Sequence, residues 1–134
     1  MGGKIPGGEG LVGRAILVAD DDADNRTIAS DALQAAGFEV LAASDGHEAI
    51  ELAVSRKPEL ILLDLSMPKL DGWQAVRRLK TIAETRGIPV IAFTAHAMTG
   101  DDRKAREAGC DDYISKPCLP GKIIEKVKEW LPRS

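Results

Sequence analysis

The sequence predicts an α/β protein in which helices cover both faces of a parallel sheet. Short apolar runs alternate regularly with amphipathic stretches from Arg14 onward. Each run is continuously apolar, which is typical of strands buried on both faces. Strict strand–helix alternation favours parallel strands joined by right-handed crossovers. With 134 residues, the chain has the length of one domain.

Two strand–helix pairs are predicted first. Residues 15–19 predict a strand, and the next stretch predicts a helix that Gly37 ends as a C-terminal cap. Residues 38–42 predict a second, weaker strand, and Ser44 or Asp45 can cap the helix after it. The apolar stripes of these two helices are Ile28, Ala32, Leu33 and Ala36, and Ala49, Ile50, Ala53 and Val54.

Three further strands follow in the same alternation. Residues 60–63 predict the third strand, which stops at Asp64, and residues 88–93 predict the fourth, which ends at Thr94. Residues 110–115 predict a short fifth strand. The helices of this part are one carrying Trp73, Val76 and Leu79, a weakly apolar one over 97–108, and a last one carrying Ile123, Ile124, Val127, Trp130 and Leu131.

Composition and charge exclude several functions. Eighteen Lys and Arg against 21 Asp and Glu give a net charge of −3, which argues against nucleic-acid binding. No apolar run approaches the roughly 20 residues of a membrane span, and no secretory signal is present. Cys110 and Cys118 match neither metal nor disulfide spacing, which favours a cytoplasmic protein with reduced thiols. The glycine-rich residues 1–13 are interpreted as a flexible leader or a cloning remnant, and residues 14–134 as the domain.

Polar residues follow four of the predicted strands. They are Asp20 and Asp21, then Asp64, Thr94 and Lys116. Individually they are ordinary turn formers, caps or surface residues. Parallel strands, however, bring their carboxyl ends to one edge of the sheet, where ligands bind. Neighbouring carboxylates repel one another, and a hard cation such as Mg²⁺ removes that conflict.

These residue types predict a phosphoryl-transfer site. Asp64 is the candidate nucleophile because it stands alone at the end of the middle strand. The charge of Lys116 can pair with one phosphoryl oxygen, and the hydroxyl of Thr94 can donate to another. No set of His and Cys residues suits zinc.

The chain resembles the receiver domain of two-component response regulators over residues 14–134. The resemblance rests on an acidic pair, a lone Asp before a Leu-Ser-Met-Pro segment, a Thr-Ala and a Lys-Pro, in that order. It implies a flavodoxin-like, doubly wound (βα)5 sandwich whose five-stranded parallel sheet has the order 2-1-3-4-5. The matching stretches are 16–22, 58–68, 71–72, 89–95 and 109–117.

The resemblance also implies the metal ligands. Asp64 would be the phosphoacceptor, and Asp20 and Asp21 would hold Mg²⁺ or Mn²⁺ together with it. Ser66 would supply its backbone carbonyl as a further ligand, and its side chain would tune the lifetime of the phosphoaspartate. Asp22 is assigned instead to capping the following helix.

Further roles follow from the same resemblance. Thr94 and Lys116 would bind the phosphoryl group, and Tyr113 would act as an aromatic switch. The peptide bond before Pro117 would be cis. His96 would flank the path of the attacking water and so influence phosphoaspartate lifetime.

The implied function is phosphorylation-dependent signalling. A sensor histidine kinase or a histidine phosphotransfer protein would donate the phosphoryl group. A downstream protein would bind the face made by the fourth helix, fifth strand and fifth helix. The domain would be regulatory, without catalysis beyond its own phosphotransfer and dephosphorylation, and would bind neither nucleic acid nor membrane. It is interpreted as a single-domain regulator, with a receiver excised from a hybrid kinase or longer regulator as the other possibility.

Two other functions are open at the sequence level. A haloacid-dehalogenase-like phosphatase also uses an Asp nucleophile and Mg²⁺, but it has a second Asp where this chain has Ser66. A receiver-like module that binds partners without being phosphorylated is the second alternative.

Overall fold

The computed structural model describes residues 15–64, 72–94, 109–115 and 120–131, with the backbone alone at 72, 73, 94 and 115. The predicted leader and the predicted helix over 97–108 lie outside these ranges. The elements in chain order are β1 (Ala15–Ala19), α1 (Ala23–Ala35), β2 (Glu39–Ala43), α2 (Gly46–Arg56), β3 (Leu60–Asp64), α3 (Gly72–Thr81), β4 (Val90–Thr94), β5 (Asp112–Ser115) and α4 (Pro120–Trp130).

The strands form one parallel sheet in the order β2-β1-β3-β4-β5. This confirms the predicted fold class and strand order. Ala19 at the end of β1 pairs with Leu63, so the strands finish almost level with each other. The residues that follow β1 and end β3 therefore lie side by side at the carboxyl edge.

Alternate strand residues face two separate cores. Leu17, Ile61 and Ala92 belong to the core that α2 and α3 cover, whereas Ile16 and Leu62 belong to the core under α1 and α4. All five residues of β3 are buried. The middle strand is thus enclosed on both faces, as its continuous apolar run predicts.

The first helix confirms its predicted cap and part of its predicted apolar stripe, since Leu33 is buried and Ala36 packs against the core. Gly37 adopts a φ of 101°, and Phe38 N–H donates to the carbonyl of Leu33 (3.0 Å), which closes the helix end. Ile28, predicted on the buried face, is 48% exposed, while Ala29 and Leu33 are buried. Since Ala29 and Leu33 occupy the face toward the sheet, the neighbouring Ile28 is turned about 100° away.

Three strand boundaries differ from the prediction by one or two residues. Phe38 precedes β2 because its N–H completes the end of α1. Ile88 precedes β4 because its N–H donates to the carbonyl of Thr85 (2.9 Å) in a turn. Cys110 precedes β5 and lies buried beside it. Apolar residues next to a strand look like strand residues in sequence, although at Phe38 and Ile88 local hydrogen bonds keep them out of the strand.

Candidate functional site

Three aspartates meet at the carboxyl edge of the sheet. Asp20 and Asp21 directly follow β1, and Asp64 ends the adjacent β3. Each contributes a carboxylate oxygen to a group in which these atoms all lie within 4.8 Å of one another. Asp20 and Asp64 are buried, whereas Asp21 is exposed. The structure therefore brings together the three carboxylates that the sequence predicts would converge.

Local hydrogen bonds fix the backbone that carries Asp20. Its N–H donates to the carbonyl of Ala43 at the end of β2 (3.1 Å). Its Oδ1 accepts from the N–H of Asp22 (2.9 Å). Its carbonyl oxygen accepts from Nη1 of Arg26 (2.7 Å). Hydrogen bonds to the amide, the carboxylate and the carbonyl of Asp20 therefore fix the turn after β1.

Asp22 caps α1, as predicted. Its Oδ1 accepts from the backbone N–H groups of Asp24 (2.8 Å) and Asn25 (3.2 Å). Asp22 is exposed and does not belong to the three-carboxylate group. Its carboxylate satisfies amides that the first helical turn leaves without partners.

Two further predicted site residues lie on the neighbouring strands. Asp64 pairs with Phe93 across β3 and β4, so the backbone of Thr94 lies one position further toward the carboxyl edge. Tyr113 is half-buried in β5 and packs against the core under α2 and α3. Ser66, His96, Lys116 and Pro117 lie outside the described residues, as does Cys118.

The chemistry of the three aspartates fits a hard divalent cation. Carboxylate oxygens are ligands that Mg²⁺ and Mn²⁺ accept, and Mg²⁺ needs only a few of them because it retains water. Two of the three carboxylates are removed from bulk water, where mutual repulsion is most costly. Across the described ranges, this is the group of His, Cys, Asp or Glu residues that could hold a metal ion.

Cys110 is a buried free cysteine with no part in this group. Burial raises the pKa of its thiol to about 12, the negative charge of Asp111 adds to that rise, and Lys80 opposes it. The thiol is protonated at neutral pH and therefore unreactive. This agrees with the reduced thiol that the sequence favours at this position.

Sequence reasoning missed Arg26. Its side chain reaches back from α1 to the carbonyl of Asp20, six residues earlier. A contact from a side chain to a backbone carbonyl leaves no apolar period and no spacing motif in the sequence. An arginine close after an acidic pair was the available signal, and it is too common to have been decisive.

The parallel sheet and its acidic edge together define a doubly wound α/β domain with a candidate cation site at the carboxyl ends of its strands. The chain belongs to the response regulator receiver domain family, whose sequence model matches residues 16–128. It is 38% identical to the polar-differentiation response regulator DivK of Brucella anthropi over 118 residues, covering 88% of this chain and 96% of that protein.

Solved structures agree with this assignment. The receiver domain of the sensor histidine kinase PA1611 from Pseudomonas aeruginosa, with magnesium coordinated in its active site cleft, has a TM-score of 0.82 and 31% identity, covering 88% of this chain and 97% of that one. The chemotaxis response regulator CheY4 of Vibrio cholerae has a TM-score of 0.83 and 25% identity, covering 87% and 98%.

The protein is thus a response regulator receiver domain of two-component signalling. Neither the dehalogenase-like phosphatase nor the phosphorylation-independent module is favoured by these findings. None of the helices in the described ranges combines the length and apolar character that crossing a bilayer requires.

Proposed function

We propose that Asp64 is the phosphoacceptor and that Asp20, Asp21 and Asp64 hold Mg²⁺ or Mn²⁺. The observation that carries this proposal is the convergence of the three carboxylates to within 4.8 Å at the carboxyl edge. The magnesium ion in the PA1611 receiver domain supports it. The backbone carbonyl of Ser66, just past β3, is the proposed additional ligand.

Asp64 ends the middle strand, between β1 and β4, and its carboxylate lies next to those of Asp20 and Asp21. One of its carboxylate oxygens forms a bond to the phosphorus of a phosphohistidine donor. The phosphorus–nitrogen bond breaks, and the donor imidazole leaves with that electron pair. A bound divalent cation supplies positive charge that offsets the charge on the phosphoryl oxygens. The product is an acyl phosphate, which water can later hydrolyse.

The remaining site residues receive roles in the same proposal. Thr94 and Lys116 bind phosphoryl oxygens. The backbone of Thr94, one position beyond the Asp64–Phe93 pair, supports the first role, and the place of Lys116 in the sequence, next after β5, supports the second. Tyr113, half-buried two positions before the end of β5, acts as the aromatic switch. His96 and the side chain of Ser66 influence hydrolysis, and the bond before Pro117 is cis.

The proposed partners follow from the family. A sensor histidine kinase or a histidine phosphotransfer protein donates the phosphoryl group. A downstream protein binds a face that includes β5 and α4. The domain acts in the cytoplasm as a regulatory phosphoacceptor, with no separate substrate to turn over. The net charge of −3 argues against a nucleic-acid partner.

Acetyl phosphate and intact-mass spectrometry test the proposal. With Mg²⁺, the wild-type protein is expected to gain the mass of one phosphoryl group. Asp64→Asn removes the nucleophilic oxyanion and should abolish the gain. Asp31→Asn, at an exposed position on α1, is the matched control and should retain it.

The metal requirement is tested in the same assay. Chelation with EDTA should suppress the mass gain of the wild-type protein. A wild-type protein that gains no mass with Mg²⁺ would support the phosphorylation-independent module instead. Undiminished gain by Asp64→Asn would place the phosphoacceptor elsewhere.

A further inference from the structure

We propose that Arg26 is a positioning residue for the acidic site. By holding the carbonyl of Asp20, its guanidinium keeps Asp20 and Asp21 aimed toward Asp64 and so strengthens the binding of Mg²⁺. Arg26 itself does not touch the cation. This inference rests on the proposed metal site and adds to it a residue outside the ligand set.

The contact between Arg26 and Asp20 is short and charge-assisted. Nη1 lies 2.7 Å from the carbonyl oxygen, and the contact is partly buried. Hydrogen bonds from a cationic donor are shorter and stronger than those between neutral groups. Arg26 also lies in α1, whose first turn is anchored by the Asp22 cap. The arginine therefore joins a firmly capped helix to the turn that carries the aspartates.

The bonded carbonyl belongs to the residue whose orientation matters. Asp20 is the first residue beyond β1, where the regular strand ends. Its N–H donates to the carbonyl of Ala43 at the end of β2, and its Oδ1 accepts from the N–H of Asp22 in the same turn. The bond from Arg26 restrains the peptide unit between Asp20 and Asp21. Rotation of that unit would move both carboxylates relative to Asp64.

Two effects of Arg26 on metal affinity have opposite signs. A guanidinium near the site repels a divalent cation, so its charge alone would weaken binding. A restrained turn presents both aspartates in place, so positioning would strengthen binding. Partial exposure and salt weaken the charge effect, whereas loss of an outer-shell partner typically lowers metal affinity roughly 10- to 100-fold. We therefore expect positioning to dominate.

Calorimetric titration of the unphosphorylated protein with Mg²⁺ tests directly whether Arg26 strengthens or weakens Mg²⁺ binding. Arg26→Ala should raise the Kd for Mg²⁺ about tenfold. Arg26→Lys keeps a cationic donor and should restore part of that loss. Arg77→Ala removes an exposed arginine of α3 and is the matched control, with wild-type affinity expected.

A second readout separates positioning from a general loss of structure. In phosphorylation by acetyl phosphate, Arg26→Ala should require about tenfold more Mg²⁺ for half-maximal rate, with a maximal rate near wild type at saturating Mg²⁺. A merely structural role would lower the free energy of unfolding measured in EDTA and leave the Kd unchanged. If Arg26→Ala does not fold, the wild-type and Arg26→Lys titrations decide.

The outcomes distinguish this inference from the proposed function. Unchanged or tighter Mg²⁺ binding by the folded Arg26 variants overturns the positioning role while the metal site stands. No Mg²⁺ binding by the wild-type protein overturns the metal site itself, and the positioning role with it.

Discussion

Leu33 and Ile28 are both large aliphatic residues of α1, and their surroundings differ completely. Leu33 has no exposed surface and packs with Ile16, Val18 and Phe38 in the core under α1 and α4. Ile28 is 48% exposed. The value of each side chain to stability depends on what it contacts and how much water it excludes.

A pair of truncations measures this difference. Leu33→Ala leaves a cavity and should lower the free energy of unfolding by about 2–5 kcal/mol. Ile28→Ala removes little buried surface and should lower it by less than about 1 kcal/mol. Urea denaturation of both variants supplies the two values. Equal losses would mean that the buried face of α1 is assigned incorrectly.

At the scale of elements, hydrogen bonds that Asp112 accepts from α4 join β5 to that helix. Its Oδ2 accepts from Nε1 of Trp130 (2.9 Å) and lies 3.2 Å from Nζ of Lys126. Burial raises the pKa of Asp112, but hydrogen bonds from Trp130, the Tyr113 amide and Lys126 outweigh it and leave the pKa below its usual 3.8. Trp130, expected within the apolar stripe of the last helix, instead has an exposed ring that binds an edge strand.

The lowered pKa of Asp112 predicts a pH dependence of stability. The pKa of this carboxylate is lower in the folded protein than in the unfolded chain. The ionised carboxylate therefore stabilises the folded state above about pH 3.8, and this stabilisation is lost as pH falls through the folded-state pKa. Asp112→Asn should therefore be less stable than wild type at pH 7, and the gap should narrow below pH 3.8. Urea unfolding at a series of pH values measures the gap. A gap that stays constant or widens on acidification would contradict the assigned bonds.

The turn before β5 depends on Gly109. Its φ of 114° disfavours any side chain, and an added Cβ would lie 2.9 Å from Cγ of Lys80. Lys80 is not free to move, because Nζ donates to the carbonyl of Ile88 (2.9 Å) and to Oδ2 of Asp111 (2.8 Å). That oxygen also accepts from the N–H of Val90 (2.8 Å). The turn thereby connects α3 with the start of β4.

Gly109→Ala should lower the free energy of unfolding by about 1–3 kcal/mol, through backbone strain and displacement of Lys80. Gly121→Ala is the control, since an added Cβ there meets nothing within 4 Å. This control should be neutral or stabilise by up to about 1 kcal/mol, because alanine favours the helix. Thermal or urea denaturation gives both values. A tolerated alanine at 109 would show that this turn can relax.

At the scale of the whole molecule, the sequence predicts the buried strands and the convergence of the residues that follow them, because parallel topology determines both. Continuous apolar runs such as 60–63 indicate buried strands, and parallel strands bring Asp20, Asp21 and Asp64 to one edge. Periodicity does not determine the order of the strands, which followed from family resemblance.

What the sequence could not predict depends on contacts in three dimensions. The orientation of α1 about its own axis follows from the packing of Ala29 and Leu33 against the sheet. The buried face includes Ala29 instead of the preceding residue, Ile28, which is therefore exposed. Arg26 escaped notice because its partner is a backbone carbonyl. Such contacts depend on how the helices and strands pack in three dimensions, and residue types alone do not specify that packing.

We propose above that Asp64 carries the phosphoryl group of this receiver domain, and one chemical measurement tests this directly. Borohydride reduction of the protein treated with acetyl phosphate and Mg²⁺ converts an acyl-phosphorylated aspartate into homoserine, which tandem mass spectrometry locates in a peptide. Homoserine is expected at position 64, and unmodified aspartate at positions 20 and 21. Homoserine at position 20 or 21, or at no position, would contradict this proposal.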